Sequence, residues 1–400
     1  MTRTGKKIGI IGGGIMGLAC GWYLARANYD VTIYERDAAP RSASWAAGGM
    51  LAPDIETEAN EQVLSKLLFR ARDLWPQFAR DLLAATNIDV AHRDNGSMLL
   101  ARDNDDVERL KFFHSLQRDY GLAPQFLSGY EARKIEPRLA ASVVAALFHP
   151  HDARVDNRAC VRALQSAFIA AGGIMRTGAI VDRIMVAQSR VAGVVANGET
   201  VNCDIVINCA GAWSGQIIGQ PDDCTPPVRP VKGQMIAVQM DANTRLIDHL
   251  IWSPDIYLIP QPGRLLIGAT VEEMGFNTDI TAGGQMKLLA EAYRILPGIY
   301  DLPIMESWAG LRPTSRDDAP ILGPTAIDGL LMATGHHRNG ILLAPLTADA
   351  IFQLIDRQIW DVAVQPFAIQ RFAAKNYKFI LSSSRVALGS PSTRPVGYSG

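Results

Sequence analysis

The chain has 400 residues, of which 48% are hydrophobic and 20% are charged, a balance typical of a globular protein with a large core. Its formal net charge is -1 with no long run of one sign, which argues against a nucleic-acid-binding surface. No uninterrupted apolar run reaches transmembrane length, so we expect no stable membrane insertion. The cysteines are few, and the sequence contains neither a C-x-x-C nor an H-E-x-x-H motif. We therefore predict no metal site and a location in the reducing cytoplasm.

The stretch 7–35, KIGIIGGGIMGLACGWYLARANYDVTIYE, organises the chain. It predicts in order a buried strand (8–11), a Gly-x-Gly-x-x-Gly turn, a helix (15–27), a second strand (31–34) and a terminal acid. This order is typical of a βαβ unit that binds a dinucleotide. A Gly-rich turn without a ligand is the alternative, and the complete βαβ context argues against it.

Each motif residue has a mechanical role. Gly12 allows the tight turn, Gly14 lets the backbone approach a pyrophosphate, and Gly17 lets the helix lie close to the strand. The acid Glu35 is suited to accept hydrogen bonds from ribose hydroxyls and argues against a 2′-phosphate, although Arg36 stands next to it. The motif does not separate NAD from FAD.

Further elements follow along the chain. The sequence predicts a loop in the first half of 36–56, a helix over 59–85, short strands and a helix within 88–148, a helix from Asn157, a β-meander with an Asn197-Gly198 turn, and a buried strand, Ile205–Asn208. Strands are predicted within 227–270, a helix over 286–296, and then a loop from Ser307, a strand at 330–334, a Gly-rich turn and a helix from near Ile341.

This pattern predicts an α/β protein in which a Rossmann-like nucleotide-binding domain is interleaved with an α+β domain built on a largely antiparallel sheet. The predicted nucleotide-binding segments are 1–90, 151–226 and 305–375, and the predicted substrate-domain segments are 91–150 and 227–304. Residues 376–400 are predicted to be a flexible tail, rich in Ser, Pro and Gly near its end. Interleaved domains place a ligand cleft between them.

Three stretches carry a family resemblance. They are SWAAGGMLAP (44–53), WAGLRP (308–313) with Asp317 and PILG (320–323) after it, and GHHRNGILLAP (335–345). Together they resemble the flavin-dependent amine oxidases of the D-amino-acid oxidase superfamily. Within it, AAGGMLAP and RNGILLAP are most similar to the glycine oxidases of thiamine biosynthesis, and the resemblance spans roughly 6–375.

The resemblance implies FAD as the cofactor. It places Ile15 and Met16 at the pyrophosphate turn, Glu35 and Arg36 at the adenosine ribose, Ala43, Ser44, Gly48, Gly49 and Met50 in the loop along the flavin, Val181 at the adenine, and His336, His337, Arg338, Asn339, Gly340, Ile341 and Leu342 under the isoalloxazine. Residues 314–316 are Thr-Ser-Arg, without the cysteine that tethers flavin in some sarcosine oxidases, so we expect non-covalent FAD.

The resemblance also implies a substrate site. Arg312 and Tyr257 match the positions that bind the substrate carboxylate, and Arg338 matches a second arginine on the substrate side. The structural alternatives are an ion pair of Arg312 with Asp317 or Asp318, a merely half-buried strand position for Tyr257, and backbone bridging by Arg338.

The two histidines admit two interpretations. His336 and His337 could serve as a catalytic base or as the site of a covalent flavin linkage. We instead expect the backbone of His336 to line the flavin and the side chain of His337 to pack in the core. Two departures from the resembled enzymes, Val271 and Asp255, bear on pocket size and polarity and so on substrate preference.

The expected reaction is oxidation of glycine, sarcosine or a small D-amino acid. Hydride passes from Cα to flavin N5, the imine hydrolyses, and oxygen is reduced to hydrogen peroxide, with a link to thiamine thiazole synthesis. The alternatives are a D-amino-acid dehydrogenase that reduces a quinone and a non-catalytic subunit that carries FAD. The oligomeric state, including a homo-oligomer, stays open.

Overall fold

The computed structural model describes residues 5–38, 41–59 and 61–373. Its strands are β1 (Lys7–Ile11), β2 (Asp30–Glu35), β3 (Met50–Leu51), β4 (Ser97–Ala101), β5 (Gln125–Ser128), β6 (Ala145–His149), β7 (Ala153–Arg154), β8 (Ile174–Thr177), β9 (Val181–Ala187), β10 (Arg190–Ala196), β11 (Glu199–Asn202), β12 (Ile205–Asn208), β13 (Arg229–Gln239), β14 (Leu250–Trp252), β15 (Tyr257–Gln261), β16 (Arg264–Gly268), β17 (Ile304–Thr314), β18 (Ile321–Pro324) and β19 (Leu330–Thr334). The predicted tail, 376–400, lies outside the described residues.

The helices connect these strands or cover their faces. They are α1 (Ile15–Arg26), α2 (Ala43–Ala46), α3 (Gln62–Thr86), α4 (Asn104–Asp119), α5 (Gly129–Ile135), α6 (Asn157–Ala170), α7 (Ala282–Ile295) and α8 (Gly340–Arg357). No helix among the described residues is long and apolar enough to cross a membrane.

The nucleotide-binding sheet has six strands in the order β18-β19-β12-β1-β2-β8. Its central strands run parallel, with Ile10 opposite both Ile207 on β12 and Ile33 on β2. Only β18 runs antiparallel within it, against β19. Helices α1, α3, α6 and α8 contribute buried apolar residues to the core on one face of this sheet. Residues of the three-stranded sheet β11-β10-β9 contribute to the core on its other face, so its strands are apolar on both faces.

A second sheet has eight strands in the order β17-β13-β16-β15-β14-β4-β6-β5. Its pairs are antiparallel except for β14 with β4, and α7 packs against it. This agrees with the predicted fold class: an α/β nucleotide-binding unit and a largely antiparallel sheet. The division into interleaved domains stays a proposal, and β17 pairs with this second sheet although the predicted boundary falls at 304/305.

The predicted loop from Ser307 is wrong, because this segment is strand β17. It pairs with β13 from Ile304 opposite Val238 to Thr314 opposite Arg229, with one register shift. Gly310 and Pro313 are residue types that are uncommon in strands, so the sequence around them predicts a loop. An edge position tolerates proline, because its missing N–H need not complete a ladder on both sides.

Candidate active site

An elongated cavity of about 970 Å³ runs between the two sheets. Of the predicted site residues, those that line it are Gly12, Gly14, Ile15, Met16, Glu35, Arg36, Ala43, Ser44, Gly48, Gly49, Met50, Val181, Tyr257, Arg312, His336, His337, Arg338, Gly340 and Ile341. Gly12 and Ile341, which are 329 positions apart in the sequence, therefore meet in one site.

Three predicted residues lie behind this wall. A Cβ on Gly17 would lie 1.9 Å from the carbonyl oxygen of Gly12, so this glycine allows α1 to pack on the turn. Asn339 is the buried residue immediately before α8. Leu342 is buried, and its carbonyl accepts a hydrogen bond from Trp75 Nε1 at 2.9 Å. None of the three lines the cavity, and their predicted part in cofactor binding stays a prediction.

The first end of the cavity is the N-terminus of α1. Gly12 has φ +103°, which only glycine adopts readily, and its N–H donates to the Tyr34 carbonyl at 2.8 Å. The Ser44 hydroxyl accepts the Ile15 N–H at 2.9 Å, and the first turn of α1 carries no acidic residue. The positive end of the helix dipole therefore faces the cavity without an acidic side chain of α1 itself to neutralise it.

Glu35 ends β2 beside this helix terminus and is only 6% exposed. Its carboxylate accepts the Gly13 N–H at 2.6 Å and the Asp37 N–H at 3.0 Å. A Cβ on Gly13 would lie 2.5 Å from Met175 Cε and 3.0 Å from Glu35 Cβ, so this middle glycine leaves room for both side chains. The backbone N–H groups fix the carboxylate at the cavity wall and leave lone pairs for hydroxyl donors.

Arg36 lies over the indole of Trp213, 3.9 Å from the ring centroid, and pairs with Asp37 at 3.2 Å. Sequence reasoning did not identify Trp213 as a wall residue. The available signal was the strand β12, which runs directly into Ala210 and Gly211 at the edge of the sheet where ligands bind.

The loop predicted to follow the flavin is held through its carbonyl oxygens. Asn157 Nδ2 donates to the carbonyls of Ser44 and Trp45 at 2.8 and 2.9 Å, Trp308 Nε1 to Ala46 at 3.0 Å, and Gln261 Nε2 to Gly48 at 3.1 Å. A Cβ on Gly48 would lie 2.2 Å from Ile259 Cδ1. The loop is therefore a pre-formed wall of small residues, and its three anchoring side chains were missed by sequence reasoning.

The two histidines are held neutral. Burial lowers the pKa of His336 to about 3, and its Nε2 lies 3.2 Å from Thr347 Oγ1. Burial, with the charges of Arg338, Arg312 and Arg229, lowers the pKa of His337 to about 3 as well. Groups with such low pKa values are poor proton acceptors near neutral pH, which favours lining and packing roles over general base catalysis.

At the other end of the cavity, Arg312 stands without an acidic partner. No ion pair among residues 5–38, 41–59 and 61–373 includes it; its Nη1 donates to the carbonyls of Lys232 and Thr270 at 3.3 and 3.2 Å. The alternative ion pair with Asp317 is not formed, because that carboxylate pairs with Arg371 at 2.7 Å. The guanidinium charge is therefore available to an anionic ligand.

Tyr257 lies beside this guanidinium. Burial raises the pKa of the phenol, against the opposing charge and hydrogen bond of Arg312, so the hydroxyl keeps its proton. The two residues that departed from the resembled enzymes, Val271 and Asp255, line the same end of the cavity. A cation and a neutral donor thus converge where a small carboxylate ligand would lie.

Arg338 differs from Arg312, because two carboxylates already meet its charge. Its Nε lies 2.9 Å from Glu56 and its Nη2 3.0 Å from Glu58. These ion pairs raise the pKa of the guanidinium further, and they replace the backbone bridging that was the alternative. Neither acid was predicted as a site residue, and both line the cavity.

The residues fit FAD in each part of the cavity. The α1 terminus suits the pyrophosphate, and the Glu35 carboxylate suits the ribose. Gly48 and Gly49, which have no side chain, leave room for a flat ring beside Tyr257. No cluster of metal-ligating side chains is found within the described part of the chain. The fold and the cavity define a flavoprotein of the oxidoreductase class.

Comparisons with known proteins agree with this class. The family described as DAO, FAD dependent oxidoreductase, matches residues 7–354. The chain is 33% identical to the glycine oxidase of Geobacillus kaustophilus over 92% of this chain and 97% of that protein. A crystal structure of glycine oxidase from the same organism has a TM-score of 0.85 at 32% identity, covering 92% of this chain and all of that one (100%).

The chain is also 33% identical to the bifunctional protein ThiO/ThiG of Trichormus variabilis, covering 92% of this chain and 55% of that protein. It therefore spans about half the length of such bifunctional relatives. The chain belongs to the DAO family of FAD-dependent oxidoreductases, and FAD is its cofactor. The predicted family, enzyme class and cofactor are confirmed.

Proposed function

We propose that the chain oxidises glycine or another small amino acid, such as sarcosine or a small D-amino acid. The observation that carries this proposal is the free charge of Arg312 at the end of a cavity built for FAD. The similarity to glycine oxidases supports the same substrate class. We further propose non-covalent FAD, a cytoplasmic location and a role in thiamine thiazole synthesis.

Arg312 and Tyr257 would bind the substrate carboxylate. A planar guanidinium grips a carboxylate with two hydrogen bonds, and the Tyr257 hydroxyl supplies a third donor. Two anchors at one end of a small molecule fix the direction of its Cα–H bond, which matters as much for the rate as affinity does. Because His336 and His337 are neutral, they add no positive charge against the amino group.

The FAD would be held by the α1 terminus, Glu35 and the loop containing Gly48 to Met50. When bound, it supplies the acceptor for the Cα hydride, and oxygen restores its oxidised form with release of hydrogen peroxide. The chain's own contribution is to orient the substrate and to limit the access of water to the site. The apolar rings of Trp252 and Tyr257, 5.7 Å apart, contribute to this limit.

The first test is anaerobic mixing of the holoenzyme with glycine, sarcosine, D-alanine and D-proline, followed by flavin absorbance. Bleaching by glycine, reversed by air with peroxide release, is the expected result. Bleaching only by bulkier D-amino acids, with slow recovery in air and fast recovery with a quinone, would instead identify a D-amino-acid dehydrogenase. A bound flavin that no substrate bleaches would indicate either a substrate outside this class or a subunit that only carries FAD.

The Arg312→Ala variant tests the carboxylate site. Loss of two charge-assisted hydrogen bonds at about 1.5–3 kcal/mol each predicts a fall in kcat/KM of about 10²–10⁴-fold, mainly through KM. The flavin spectrum should be retained. Arg190→Ala is the matched control, because this arginine is exposed, pairs with Asp328 at 3.3 Å and does not line the cavity. Unchanged kinetics in Arg312→Ala would refute the assigned role.

A further inference from the structure

The guanidinium of Arg312 is oriented by backbone carbonyls rather than by a side-chain acid. Its Nη1 donates to the carbonyl of Lys232 on β13 and to that of Thr270, two residues after β16. It also lies flat against Gly233, where an added Cβ would be 2.6 Å from both terminal nitrogens. Whatever fixes these two carbonyls therefore fixes the direction of the guanidinium.

Glu272 is the common partner of both carbonyl-bearing segments. Its Oε1 accepts the Thr270 hydroxyl at 2.5 Å and Gln234 Nε2 at 2.7 Å, while its Oε2 lies 3.1 Å from Lys232 Nζ. The backbones are tied as well: the Lys232 N–H donates to the Glu272 carbonyl at 2.9 Å, and the Glu272 N–H to the Lys232 carbonyl at 3.0 Å. One carboxylate thus joins β13 to the segment after β16.

Lys232 is an unusual cation for this position. Its side chain is 1% exposed, and the one carboxylate that pairs with it among the described residues is that of Glu272. A buried ammonium costs free energy unless an opposite charge pairs with it. The position of the Lys232 side chain therefore depends on the position of the Glu272 carboxylate. Burial raises the pKa of Glu272, but hydrogen bonds from Thr270, Gln234 and Lys232 outweigh it and lower the pKa overall. The acid is therefore ionised when it holds the pair.

We propose that Glu272 and Lys232 are positioning residues that orient Arg312 toward the substrate carboxylate. The proposal rests on the proposed function of Arg312. Glu272 and Lys232 do not line the cavity and act through the carbonyls of Lys232 and Thr270. A loosened pair would let the guanidinium rotate away from the carboxylate while the FAD end of the cavity stays intact.

The test uses the holoenzyme with acetate as a carboxylate that binds without turnover, titrated by its change of the flavin spectrum. Glu272→Gln should raise the acetate Kd and the KM for the amino-acid substrate by about 10- to 100-fold, because a rotated guanidinium loses one of its two charge-assisted hydrogen bonds to the carboxylate. The FAD Kd and kcat at saturation should change less than about threefold. Glu273→Gln is the matched control, because its exposed carboxylate pairs only with Arg229 among the described residues.

A double-mutant cycle separates positioning from general stability. Glu272→Gln combined with Arg312→Ala should bind acetate no more weakly than Arg312→Ala alone, because the effect of the acid passes through the arginine. If Glu272→Gln fails to fold, the charge-free pair Glu272→Gln with Lys232→Met replaces it. Additive losses, or an unchanged acetate Kd in a variant that keeps its flavin, would overturn the proposal. An Arg312→Ala variant that still binds acetate normally would instead refute the proposed function.

Discussion

Asp152 offers a sharp test of how the cavity wall is held. It is fully buried and accepts three hydrogen bonds: from the N–H groups of Asp54 and Ile55 at 3.0 and 3.2 Å, and from the Ser97 hydroxyl at 2.6 Å. Two of these donors begin the segment 54–58, which includes Glu56, the partner of Arg338. Asp152 itself does not line the cavity.

The Asp152→Ala variant leaves three buried donors without a partner. At about 1–2 kcal/mol each, after water enters the vacated space, the free energy of unfolding should fall by about 3–6 kcal/mol. An unfolding entropy of about 2.1 cal/mol/K per residue converts this loss to a fall in Tm of roughly 4–7 °C. Differential scanning fluorimetry at saturating FAD, with urea unfolding as a second measure, would detect it.

Asp152→Asn is the matched control. Burial, with the nearby charge of Asp54, raises the pKa of Asp152 well above its ordinary value, against the hydrogen bonds from Ser97 and the two N–H groups. The raised pKa favours the neutral form over a wider pH range than in a free carboxyl, and the isosteric amide keeps one of the two acceptor oxygens. Its NH₂ group leaves one backbone N–H without an acceptor, so Asp152→Asn should cost about 1–2 kcal/mol, less than Asp152→Ala. A loss as large as that of Asp152→Ala would refute the reasoning.

The pH dependence has a defined sign. Because the folded pKa of Asp152 is raised, its stabilisation is fully present below the ordinary pKa of 3.8 and is lost as pH rises through the folded value. The stability of the natural protein relative to Asp152→Asn should therefore decline with rising pH across that window, by up to about 1.4 kcal/mol per pH unit. A flat difference would contradict the assigned direction.

Two further predictions concern backbone packing and histidine burial. Gly17→Ala should cost more than about 3 kcal/mol and weaken FAD binding because of the clash with the Gly12 carbonyl, whereas Gly283→Ala, in open space on α7, should stabilise by about 0.5–1 kcal/mol; calorimetry of both variants checks this. His336 has a folded pKa of about 3 against an ordinary 6.5, so the stability that the neutral imidazole allows is lost as pH falls through 6.5 toward 3. Between pH 6.5 and 5.0 the natural protein should lose about 1.6 kcal/mol more than His336→Gln in urea unfolding. Equal losses in the two proteins would show that this imidazole does not control acid sensitivity.

Much of the nucleotide-binding unit could be predicted from the sequence because its signals are local. The strand, glycine turn, helix and acid of 7–35 follow within one stretch, and the observed β1, α1 and β2 lie within one or two residues of their predictions. The strand Ile205–Asn208 also has its predicted bounds. In these segments periodicity, turn residues and apolar runs all favour the same structure, so no distant contact was needed to define them.

The contacts that complete the site were decided by the tertiary structure. Trp308 reaches the Ala46 carbonyl across 262 positions, and Arg338 reaches Glu56 across 282. Strand β17 contains Gly310 and Pro313 and is extended because β13 pairs along it. By itself the sequence determined the βαβ unit and, through family resemblance, the residue types of the site. The carbonyls that hold Arg312 and the acids that neutralise Arg338 lie on segments that only folding brings together. The residues next to each arginine in the sequence therefore do not predict these partners.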